Sequence, residues 1–106
     1  MATSLDYIDY CMGQLHDLGT ITAKRMFGEC MIYINAKPVL LVCDNTPYIK
    51  MHPSVEPFLS NHPKGFPYSG AREHYILDLD DRDLVREVIL AIEPFLTIPK
   101  KKKPSH

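Results

Sequence analysis

The residues best equipped for chemistry lie on either side of a glycine. Arg25 and Glu29 flank Gly28, Tyr33 follows in the next apolar run, and Lys50 and Tyr75 stand in similar surroundings further along. Arginine presents a planar fork of donors suited to carboxylate or phosphate, so Arg25 is the natural anion contact in such a group. Together the five residues describe a polar pocket for a small anion. The competing reading is an ion pair between Arg25 and Glu29 that fixes the corner. Other chemistries lack their parts. Metal sites need converging His, Cys and carboxylates. The five histidines, His16, His52, His62, His74 and His106, are never four apart, and no Cys-x-x-Cys occurs. Acyl transfer needs an activated nucleophile beside a base. No Gly-x-Ser-x-Gly is present, and Cys30 next to Glu29 would need His52 or His74 to reach it. Neither a Walker sequence nor Gly-x-Gly-x-x-Gly appears. The expectation is a non-enzyme with no metal and no cofactor.

Positioning these residues falls to a sheet. Strand-forming residues run over 21–27, and a second run, from Cys30 to Ile34, follows the glycine. A glycine there marks a bend or a close backbone approach. Asn35-Ala36-Lys37-Pro38 reads as a turn, with Pro38 at the first residue of the next strand. Val39, Leu40, Leu41, Val42 and Cys43 form an unbroken apolar run, the mark of a strand covered on both faces. Asp44-Asn45-Thr46-Pro47 turns the chain into Tyr48-Ile49-Lys50-Met51, which alternates. Short turns require antiparallel pairing. Ahead of the sheet, Thr3 or Ser4 caps a helix with Leu5, Ile8, Cys11, Met12, Leu15 and Leu18 on one stripe, ended by Gly19. Behind it, His52-Pro53 opens a single-turn helix. Residues 61–70 form a loop pinned by Phe66 and Tyr68, and residues 72–79 the last strand. Asp80-Asp81-Arg82-Asp83 then opens a helix with Leu84, Val85, Val88, Ile89, Ile92, Phe95 and Leu96 on one face and Pro94 in its last turn. The fold class is α+β. It is a two-layer sandwich whose antiparallel sheet of four to five strands is backed by N- and C-terminal helices.

Arg25-Met26-Phe27-Gly28-Glu29 followed by Tyr33, then Tyr48-Ile49-Lys50, Phe66-Pro67-Tyr68 and His74-Tyr75-Ile76-Leu77, resembles the N-terminal domain of the TfoX (Sxy) family over roughly residues 5–96. Cys30 and Ala36 depart from the usual pattern, Ala36 standing for a turn glycine. The resemblance implies the same α+β architecture in a stand-alone form. It also implies a non-catalytic regulatory or interaction role of the kind known for bacterial competence.

The chain's 106 residues are one domain's worth, and 45% are hydrophobic. The expected division is a domain over 1–98 and a disordered lysine-rich tail over 99–106. A formal charge of −1 gives the body no general affinity for polyanions. The tail's Lys100, Lys101, Lys102 and Lys103 add weak, salt-sensitive attraction for nucleic acid, or serve only as a solubilising end. They contain no aromatic on which a base would stack. Three cysteines make no disulfide framework and read as buried hydrophobes. With no secretory signal and no apolar run of membrane length, the setting expected is cytoplasmic. Two readings follow. One is a regulatory domain with a protein partner, in which an uncovered sheet edge also allows pairing with a second copy. The other is a binder of small anions or nucleic acid through the Arg25/Glu29 corner and the lysine tail.

Overall fold

The computed structural model describes residues 3–26 and 28–99, with the backbone alone at Met26. The lysine tail and Phe27 therefore lie outside the described residues. The helices are α1 (Leu5–Leu15), α2 (Glu56–Leu59) and α3 (Arg82–Ile92). The strands are β1 (Ile21–Met26), β2 (Glu29–Ile34), β3 (Lys37–Cys43), β4 (Thr46–Lys50), β5 (Lys64–Gly65) and β6 (His74–Ile76). They form one antiparallel sheet of six in the order β1-β2-β3-β4-β6-β5. The α+β architecture with helices at both ends is the one expected. The sheet is larger because Lys64 and Gly65, inside a segment rich in turn residues, pair with Tyr75 and His74.

The first three strands follow from their turns. Gly28 sits at φ +80 in the β1–β2 corner, where Met26 pairs with Glu29. A glycine takes that left-handed conformation without a Cβ clash. Asn35 and Ala36 both have positive φ, as do Asp44 and Asn45. Two successive left-handed residues define the tight hairpin turn whose twist matches its strands. The β2–β3 register shifts at Ile32/Tyr33, so Ile32 faces Leu40 while Tyr33 faces Pro38, leaving Val39 as the extra residue of a bulge. Pro38 is thus the second residue of β3 and sits at that bulge, where a missing N–H is tolerated.

Alternation along the strands sends Cys30, Ile32, Ile34, Leu40, Val42 and Ile49 to one face, all of them buried. Ile8, Cys11 and Leu15 of α1, Leu59 of α2, and Val85, Val88, Ile89 and Ile92 of α3 close over that face. Each such side chain contributes about 1.5–3 kcal/mol by leaving water. Leu5 stands off the stripe, 63% exposed, because the face that meets the sheet is set by Ile8, Cys11 and Leu15. Ser4 caps α1 by accepting from the Tyr7 N–H at 3.2 Å, and Asp81 caps α3 by accepting from Leu84 at 3.2 Å. α3 stops at Ile92. Pro94 cannot donate within a continuing helix, so residues 93–95 form a 3-10 turn and Phe95 swings out to solvent. Leu96 then returns to the core cluster. No helix among the described residues is long and apolar enough to cross a membrane.

Candidate functional site

The five polar residues singled out in the sequence are divided between the two faces of the sheet. Arg25 pairs in register with buried Cys30, which puts it on the helix side. There its guanidinium donates to the Thr3 carbonyl at 3.2 Å. Thr3 is held from three more directions. Its N–H donates to the Gly28 carbonyl at 3.0 Å, its hydroxyl donates to the Val42 carbonyl at 3.2 Å, and that hydroxyl accepts from the Asn45 N–H at 3.4 Å. The glycine corner and its arginine therefore hold the residue that leads into α1. Tyr75 is on the same face, buried, with the Lys64 ammonium 5.5 Å from its ring centre. Glu29, Tyr33 and Lys50 belong to the opposite, open face. Among the described residues no ion pair joins Arg25 to Glu29; the ion pairs are Lys37–Glu93, Arg82–Asp17 and Arg86–Asp17. Glu29 instead lies beside Cys43, whose thiol is pushed up to about 12 by burial first and by this carboxylate second.

The other thiols are equally quiet. Burial lifts Cys11 to about 12, with Cys30 adding to it, and burial also raises Cys30 despite the nearby Arg25 charge. A nucleophilic thiol needs its pKa lowered and an exposed position. All three cysteines are buried and free. Among the described residues no cluster of His, Cys, Asp and Glu has the form of a metal site.

Two depressions bear on binding. The larger, an open cleft of about 800 Å³, lies between α1 and the β6–α3 connection and is bordered by Tyr7, Tyr10, His62, Asp78 and Asp80. Within it the Tyr10 hydroxyl donates to the Asp80 carboxylate. Burial lifts Tyr7 to about 12, with Cys11 and the two aspartates adding to it. Burial and Asp80 raise Tyr10 as well. Both phenols are therefore fixed as donors at neutral pH. The second is a groove of about 370 Å³ on the open sheet face. Met31, Leu41 and Tyr48, neighbours in register across β2, β3 and β4, make its floor. Tyr68 and Phe95, 52% and 61% exposed, stand at its sides. Lys50 and His74 close one end, and the Tyr48 and His74 rings meet edge-on at 6.4 Å. Phe95 is steadied by the His52 ring at 4.8 Å. Gly65 lies against Tyr48: a Cβ there would come within 3.3 Å of its ring. Glycine thus lets β5 approach and hold the tyrosine in place.

Of the five residues singled out for a pocket at the glycine corner, Lys50 alone lines this groove, and its floor was not foreseen. Leu41 read as part of a strand covered on both faces, and only the cross-strand register shows that it shares with Met31 the face turned away from the helices. Phe66 and Tyr68 read as pins for their loop, yet Phe66 is 61% exposed and Tyr68 flanks the groove. The available signal was the alternation at Tyr48 and Lys50, which implied one face of β4 open to water.

A helix-backed antiparallel sheet with quiet thiols and an aromatic-sided groove on its free face defines a small α+β domain. The profile of the TfoX N-terminal domain matches residues 13–89, and the chain belongs to that family. It is 28% identical over 105 residues to an uncharacterised 12.7 kDa protein in the trpE 5′ region of Spirochaeta aurantia, covering 97% of this chain and 91% of that one.

Proposed function

We propose that this chain is a non-catalytic regulatory domain that acts by binding, with the groove on the open sheet face as its contact surface and a protein as its partner. The observation that carries this reading is the exposure of Tyr68 and Phe95 on either side of an apolar floor. Exposed apolar groups gathered round a concavity mark interaction sites on soluble domains. The non-catalytic part is supported by the three thiols, which burial keeps protonated. The regulatory part follows the family, whose members include regulators of competence. The alternative reading, an anion site at the Arg25 corner, draws less support, since the guanidinium is already engaged by Thr3.

The test is affinity capture from native lysate with three baits: the wild-type chain, a Leu41→Lys variant with a charged floor, and an Asp9→Lys variant altered on α1. The expected result is one partner recovered by wild type and Asp9→Lys and lost with Leu41→Lys, each bait being folded by circular dichroism. Equal recovery by all three, or none above background, would overturn the proposal.

A further inference from the structure

We infer that the groove takes a small amphipathic carboxylate, its apolar body on Met31, Leu41 and Tyr48 and its charged group at Lys50 and His74. The inference rests on the reading of this face as the binding surface and names the class of ligand. Three observations carry it.

Lys50 and His74 are directly opposite in the β4–β6 register, hence on the same face with Cβ atoms about 4.5–5.5 Å apart. The His74 Nδ1 lies 2.7 Å from the Arg72 carbonyl. A carbonyl only accepts, so that nitrogen carries the proton. Arg72, exposed, stands two residues earlier. Among the described residues, neither Lys50 nor His74 has a carboxylate within ion-pair distance, whereas Lys37, Arg82 and Arg86 each have one. The Lys50 ammonium is thus left without a carboxylate partner among the described residues, at the same end of the groove as the His74 ring.

The second observation is the floor. An inorganic anion has no use for Met31, Leu41 and Tyr48, and a neutral apolar ligand has none for Lys50 and His74. Only a molecule with both parts satisfies the whole groove. The third is size. About 370 Å³ lies at the small end of ligand pockets, enough for one ring or a short alkyl chain with its head group. The chain's own end does not suit it, because Lys100 to Lys103 carry the same sign as Lys50. A nucleic-acid strand fits poorly too: Lys24 and Lys50 are the lysines of this face, and Glu29 on the same face opposes a phosphate backbone.

The experiment is a titration of the ¹⁵N-labelled chain at neutral pH with 4-phenylbutyrate, with its neutral amide 4-phenylbutyramide, and with an acetylated Leu-Phe-Glu peptide amide. The expected result is saturable shifts at Leu41, Tyr48, Lys50 and His74 with the free acid, and binding of the amide at least ~10-fold weaker, the scale of one charge-assisted hydrogen bond. Lys50→Met should abolish the preference for acid over amide while leaving the rest of the spectrum in place. His74→Gln, tested independently, should reduce it. Equal affinity for acid and amide, shifts centred on Tyr7 and Tyr10, no saturable binding at millimolar concentration, or binding of the peptide alone would each overturn the inference. Partner capture that depends on Leu41 would survive any of these results, so the two proposals fail separately.

Discussion

Arg25 draws the eye in the sequence as an anion contact, and the structure uses it as a clamp. Its partner is the main-chain carbonyl of Thr3, a residue whose N–H and hydroxyl are held in turn by Gly28, Val42 and Asn45. A hydrogen bond from a charged donor is worth more than a neutral one, and partial exposure reduces it. Arg25→Met should therefore cost about 1–2 kcal/mol in urea unfolding and speed amide exchange through the first turn of α1. Unchanged stability would show that the clamp is idle. The importance of Arg25 was legible in its place beside the glycine; its partner, 22 residues back, was not, because no local spacing signals a bond to a distant carbonyl. The cysteines were the opposite case, since their identity as small buried hydrophobes follows from residue type alone. Their chemistry gives a second prediction. Cys11 and Cys43 move from an ordinary 9.0 to about 12 in the fold, and Tyr7 from 10.0 to about 12. Above pH 9 the unfolded chain releases these protons while the folded chain keeps them. The unfolded state then binds fewer protons, so stability falls as pH rises. The stabilisation is complete below about pH 9 and is lost between there and about pH 12. Urea midpoints measured from pH 7 to 11 should show the decline, and Cys43→Ala should make it shallower.

Among the elements, turns decided what the sequence could reveal. The β2–β3 and β3–β4 hairpins were legible from Asn35 and from the Asp44-Asn45 pair, residues that tolerate positive φ. The two-residue β5 was not, since Lys64 and Gly65 carry no strand pattern and pair only because β6 arrives beside them. The helix stripes were legible in their middles and failed at their ends. Leu5 and Phe95 have the right spacing, but the first lies before α1 meets the sheet and the second follows Pro94 out of the helix. The turn at Ala36 yields a prediction. Ala36 holds φ +69, where a Cβ crowds the following carbonyl, and no side-chain hydrogen bond is available to compensate. Glycine relieves that strain and gives back part of the gain as extra freedom in the unfolded chain. Ala36→Gly should raise stability by roughly 0.5–1 kcal/mol, read as a higher melting temperature with an unchanged urea m-value. A loss of stability would mean that the turn is held by something other than its backbone geometry.

For the whole molecule, a net charge of −1 conceals an uneven distribution. Asp6 and Asp9 are exposed on α1, and Asp78 and Asp80 on the β6–α3 connection. Lys24 and Lys50 are exposed on strands whose register places them with Met31 and Tyr48 on the open face. An anion approaching the groove meets the Lys24 and Lys50 charges, offset in part by Glu29 on the same face. The reach of those charges depends on salt. Lys24 and Lys50 lie three strands apart, about 15 Å given a strand spacing of about 4.8 Å and the offset along the strands. The screening length is about 30 Å at 0.01 M salt and about 10 Å at 0.1 M. At low salt, Lys24→Glu should weaken 4-phenylbutyrate binding without touching the ligand, and at 0.1 M salt the effect should fade. Lys50→Met should weaken binding at both, because its charge is within contact distance and screening has little room to act. Asp9→Lys, on the far side of the sheet, should change little at either. Isothermal titration of the three variants at the two salt concentrations separates long-range field from direct contact. A Lys24→Glu effect that persists undiminished at high salt would place that lysine in the site itself, and the groove's charged end would have to be redrawn around β1.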